Sequence, residues 1–130
     1  MCNACREPAP ALLLEGIAQF NRGEYFEQHE TLELLWRAER RDVRRLYQGI
    51  LQIGVAFLHL QRLNHHGAVY MLTRGSQYLA PFAPRCQGID VEALLGAATA
   101  ALAEVQRLGQ DRLAEFDWRL AARVHLVGGS

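Results

Sequence analysis

Apolar positions recur along this chain with helical spacing, and two neighbouring stretches organise the rest. In the first, Tyr25 to Trp36, a turn of about 100° per residue gathers Leu35, Leu32, Tyr25, Trp36 and Phe26 on one arc, with His29 and Glu33 inside it. The second, Tyr47 to His59, is apolar almost all round, as a central helix must be. Its exceptions are Gln48, Gln52 and His59, which fall within about 40° of one another. Polar groups on buried faces need partners. The two stripes are therefore expected to meet in one internal cluster of His29, Glu33, Gln48, Gln52 and His59, in which removal of the Glu33 carboxylate would strand its neighbours at ~1–3 kcal/mol.

The remaining pattern predicts three more helices. One starts near Ala9 to Leu12 after Pro8 and Pro10, carries Leu13, Ile17 and Phe20 on one face, and ends at Asn21-Arg22-Gly23. The Tyr25 helix spans about Glu24 to Glu39, and Asp42 is the expected N-cap of the next, which continues to Leu63. After a turn at Asn64-His65-His66-Gly67, a fourth helix uses Ala68, Met71, Leu72, Gly75 and Leu79 as its inner face, until Pro81 and Pro84 end it. Residues 81 to 89 read as a loop. Asp90 then caps a fifth helix, Val91 to Leu108, which Gly109 stops. Residues 109 to 130 read as a strap with one or two helical turns, and residues 1 to 8 as a flexible tail. Gly49 and Gly54, each costing about 1 kcal/mol against Ala in a helix, imply close helix approach.

Two turns echo each other, Phe20-Asn21-Arg22-Gly23 and Leu63-Asn64-His65-His66-Gly67, each with Asn shortly before Gly. Such antiparallel pairs resemble tetratricopeptide hairpins, whose repeat is shorter at ~34 residues. The expectation is a single all-α domain over residues 9 to 130, a bundle of about five helices with the third the most buried.

Composition narrows the function classes. With 130 residues, half of them apolar, the chain can bury a core without metal or disulfide staples. Its 14 basic residues are all Arg and balance 14 acidic ones, so there is no electrostatic footprint for nucleic acid or an anionic membrane. No apolar run reaches the ~18 residues of a membrane span and no signal segment is visible, which reads as cytoplasmic. Three cysteines, an odd number, argue against a disulfide framework. The Cys2-x-x-Cys5 pair opens no helix after a strand and has only Cys86 to join it, so the cysteines read as incidental to a tail.

The candidate chemistry lies in His29-Glu30-Thr31-Leu32-Glu33, which has the first half of an H-E-x-x-H zinc helix but lacks the second His. A divalent metal would need His29, Glu33 and His59 as its three ligands, with Glu30 as general base for hydrolysis. Three readings stay open: a structural cluster, a pocket for a small ligand or protein partner walled by Tyr25 and Trp36, and a metal-dependent hydrolase. A second copy of the chain is a further possible partner. Glu30 beside Arg37 also fits an ordinary surface pair, and Trp36 an ordinary core residue. No nucleophile context, phosphate loop or dinucleotide fingerprint is present.

The motif Phe20-Asn-x-Gly23-x-Tyr25-Phe26-Glu27-x-His29-Glu30-x-Leu-Glu33-x-Leu-Trp36-Arg37, then Gln48-Gly49-x-x-Gln52, Ala56, His59 and Asn64-x-x-Gly67-Ala68, resembles the small prokaryotic family catalogued as domain of unknown function 309. The resemblance covers roughly residues 12 to 80. It implies an all-helical cytoplasmic domain with these polar positions as its signature, and no assigned activity. The Cys2 to Cys5 segment and the last twenty residues lie outside it.

Overall fold

The structure, a computed structural model, describes residues 3–127. Five helices follow in order: α1 (Ala11–Asn21), α2 (Tyr25–Ala38), α3 (Arg44–Gln61), α4 (His65–Leu79) and α5 (Val91–Leu108). Each packs against the next in the chain, so the domain is a run of antiparallel hairpins.

The core forms around α3. Leu46, Tyr47, Ile50, Ile53, Ala56 and Phe57 are all fully buried, and each large side chain of this set contributes about 1.5–3 kcal/mol by leaving water. Two glycines of α3 let neighbours approach, as the spacing implied. A Cβ on Gly49 would lie 2.8 Å from the Leu79 side chain of α4, and one on Gly54 would collide with the Gln28 amide of α2. On the other side, Gly16 of α1 leaves room for Leu32 of α2.

The α1–α2 and α3–α4 turns share one geometry. Gly23 has φ 78° and Leu63 has φ 55°, each two residues past its helix end. The true offset is therefore forty residues: Leu13, Gly16, Ile17 and Phe20 of α1 correspond to Ile53, Ala56, Phe57 and Leu60 of α3, all buried. The Asn-to-Gly echo expected from the sequence is offset from this. Gly67 lies inside the first turn of α4, where Asn64 caps the helix by accepting from the Gly67 N–H at 3.0 Å. Similarly, Asp42 does not cap α3 with its side chain; Val43 occupies the cap, and Asp42 offers only its carbonyl to the Arg45 N–H.

The fifth helix is as expected, with the Asp90 carboxylate accepting from the Ala93 N–H at 2.9 Å and Gly109 at φ 67°. The preceding segment is not a plain loop. A 3-10 turn (Ala80–Phe82) leads into a hairpin of β1 (Arg85–Cys86) and β2 (Ile89–Asp90). Gln87 and Gly88, both at positive φ, form the two-residue turn that suits the right-handed twist of paired strands.

The described part of the amino-terminal segment, expected as a flexible tail, is packed onto the domain. Asn3–Arg6 form a 3-10 turn with Ala4 and Cys5 buried, and a disulfide joins Cys5 to Cys86 across 81 residues. This disulfide overturns the expectation of incidental cysteines: an odd count excludes only the pairing of all three, and Cys2 lies outside the described residues. Gln87 reinforces the junction: its N–H donates to the Cys5 carbonyl, its amide donates to the Ala4 carbonyl, and its oxygen accepts from the Tyr47 hydroxyl at 2.8 Å. Arg41 adds a clamp, donating to Glu7 at 2.7 Å while holding Glu39 at the end of α2.

The strap runs through 3-10 turns at Leu113–Glu115 and Trp118–Leu120, then extends as far as Leu126, which bridges to Ile89. Leu113, Phe116, Ala122 and Val124 are buried beneath it, and the Asn21 side chain ties it to the α1–α2 turn through two hydrogen bonds with Val124. Among the described residues, no helix is long and apolar enough to cross a membrane.

Candidate functional site

Three contacts set the register of α2 against α3. Tyr25 stacks on Phe57 with ring centroids 5.6 Å apart, the Gln28 amide donates to the Leu51 carbonyl at 3.1 Å, and the Arg44 guanidinium lies 5.2 Å over the Trp36 ring. Ascending α2 thus matches descending α3, with His29 level with Gln52 and Glu33 level with Gln48. His59 is seven residues beyond Gln52, about 10 Å further along the axis at 1.5 Å per residue.

This register separates the expected cluster. His29 Nε2 lies 3.1 Å from Glu33 Oε2, and the other Glu33 oxygen pairs with Arg37 at 2.8 Å. Gln48 accepts instead from Arg45 at 2.6 Å, and His59 Nδ1 lies 3.2 Å from the Asn64 amide nitrogen. No hydrogen bond among the described residues joins His29 or Glu33 to Gln48, Gln52 or His59. The stripes flank the helix interface instead of entering it, and the Glu33 side chain keeps 30% of its exposure. The buried arc is narrower than the spacing predicts: Phe26 is half-exposed, and the buried face centres on Tyr25, Gln28 and Leu32.

The expected metal set fails for the same reason. No group of three His, Cys, Asp or Glu side chains among the described residues is gathered so as to hold a metal, and His59 is about two turns of helix from the level of His29. Glu30 is exposed beyond this flank. Tyr25, expected as a groove wall, is a core residue at 5% exposure, edge-on to Phe20 and stacked on Phe57. His59, partly withdrawn from water and near Arg62, has its pKa lowered by desolvation first and by that charge second. A neutral ring fits its acceptance from Asn64.

What the register does bring together is a continuous face across α2, α3 and α4. Arg45 and Arg74 each lie 5.3 Å over the Tyr78 ring, and Arg74 donates to the Tyr78 hydroxyl at 2.9 Å. At the other end, Gly67 leaves space for the His59 ring. Among the described residues, Trp36 Nε1, Arg44 Nε and Gln52 Oε1 on this face are buried without a hydrogen-bond partner. The other two such atoms are Gln19 Oε1 on α1 and Gln28 Oε1 in the α2–α3 core. Two cavities lie elsewhere, one of about 750 Å³ beside Cys5, Leu14 and Leu126, the other of about 290 Å³ between α5 and the strap.

Two of the arginine-aromatic contacts, Arg44 with Trp36 and Arg45 with Tyr78, join different helices and leave no local trace in the sequence, whereas Arg74 and Tyr78 are an i, i+4 pair within α4. Gln28 left a clearer trace: with Tyr25 and Leu32 it forms an i, i+3, i+7 set, so a polar residue on the inner stripe was visible in the spacing.

The fold and this face define an all-helical hairpin protein whose polar surface is built on its central helix. Residues 13–71, from α1 into α4, match the family model described as Domain of unknown function (DUF309), so the resemblance read from the sequence holds over that segment. No curated protein matches the chain.

Proposed function

We propose that this domain is a non-catalytic binding module whose recognition surface is the α2–α3–α4 face. The observation that carries the reading is the set of three buried, unpartnered polar atoms there, Trp36 Nε1, Arg44 Nε and Gln52 Oε1. A buried polar atom without a partner costs about 1–3 kcal/mol, and a ligand toward which these half-buried side chains turn recovers that cost on binding. Two of the three atoms are N–H donors, so the ligand must bring acceptors.

A 15N-labelled sample titrated with a chemically varied fragment set tests this. Acceptor-bearing fragments should shift the Trp36 indole N–H, the Arg44 Nε–H and the Gln52 amide together, and the Arg44 and Gln52 shifts should disappear in Trp36→Phe. Fragments that perturb only α1, α5 or the strap would refute the reading.

A further inference from the structure

We infer that the ligand of this face is an acidic peptide segment lying along α3. The inference rests on the binding-module reading and adds the chemistry and shape of the partner.

Charge is the first argument. Among the described residues Arg44, Arg45 and Arg74 have no carboxylate partner, whereas Arg37 and Arg41 at the same end of the α2–α3 hairpin are held by Glu33, Glu39 and Glu7. Aromatic rings pre-position the unpaired three: Arg44 over Trp36, and both Arg45 and Arg74 over Tyr78. Stacking restricts a guanidinium without consuming its in-plane donors; Arg45 spends one on Gln48 and Arg74 one on the Tyr78 hydroxyl, and the remaining N–H groups can fork onto a carboxylate.

Shape is the second. The polar stripe of α3 runs from Arg44 through Gln48 and Gln52 to His59, about 22 Å at the helical rise. That length suits about seven residues of extended peptide at ~3.3 Å each and is too long for a small metabolite. The cavities beside Cys5 and between α5 and the strap are open clefts that lie away from this stripe. The Gln52 amide, with its oxygen unpartnered, offers the mixed donor and acceptor pairing that a peptide backbone presents and a simple anion does not.

Fluorescence anisotropy with labelled octapeptides tests the inference, using octaglutamate, a glutamine octapeptide and an oligothymidylate single strand of eight nucleotides. Octaglutamate should bind at least tenfold more tightly than the glutamine peptide and weaken as salt rises. Arg44→Gln combined with Arg45→Gln and Arg74→Gln should weaken it at least tenfold, while Arg85→Gln on the hairpin should leave it within twofold. All variants alter exposed or half-buried guanidinium groups, and far-UV circular dichroism checks that each is folded. Equal binding of the acidic and neutral peptides would overturn the inference, as would tighter binding of the oligonucleotide or an unchanged affinity in the folded triple variant. If octaglutamate fails while acceptor fragments still shift Trp36 and Gln52, the peptide inference falls and the binding-module reading stands; if both fail, both fall.

Discussion

Gly54 occupies the point on α3 where the Gln28 side chain crosses from α2, and a Cβ built there would overlap the amide. Gly54→Ala sets two effects against each other. Alanine in a helix interior stabilises by about 1 kcal/mol relative to glycine. Overfilling a packed interface costs about 1–3 kcal/mol, and displacing the fully buried Gln28 amide from the Leu51 carbonyl costs about 1–3 kcal/mol more. The collision wins, so Gly54→Ala should destabilise by about 2 kcal/mol or more, lowering the melting temperature by roughly 3–6 °C for each kcal/mol. In a Gln28→Ala background the obstacle is gone, and the same substitution should stabilise by up to about 1 kcal/mol. The coupling between the two sites is therefore about 2 kcal/mol or larger. Urea denaturation of the four proteins, followed by far-UV circular dichroism with the disulfide intact, measures it. Additivity within ~0.5 kcal/mol, or a Gly54→Ala variant more stable than its parent, would refute the packing argument.

Three further outcomes are expected. Cys86→Ser should lower stability by about 3–4 kcal/mol, because the 81-residue span closed by the bond restricts the unfolded chain, and dithiothreitol should weaken the parent to a similar level while leaving the variant unchanged. Glu33→Ala should change the unfolding free energy by less than about 1 kcal/mol, since its pairs with His29 and Arg37 are partly exposed; a loss above ~2 kcal/mol would restore the internal cluster that the register argues against. His59 has a folded pKa below its ordinary 6.5, so the unfolded chain takes up more protons just below that pH. Its contribution to stability is complete above pH 6.5 and is lost as the pH falls through the folded pKa, and His59→Gln should flatten that part of the pH profile.

Features decided within one helix were legible in the sequence. The Asp90 cap, the Val91–Leu108 span and the Gly109 stop depend on hydrogen bonds a few residues apart, and the burial of Ile50, Ile53 and Phe57 follows from apolar residues on nearly every side of α3. Periodicity also found the right stripes, but it could not say where the buried arc ends. That boundary is set by the neighbouring helix, which left His29 and Glu33 on the flank and drew Gln28 into the core opposite Gly54. The remaining features join residues far apart in sequence: Arg45 to Tyr78, Asn21 to Val124, Cys5 to Cys86. Local spacing determines which side of a helix is apolar. Only packing fixes the register and rotation of one helix against another, and a shift of one residue turns a side chain by about 100° from groove to core.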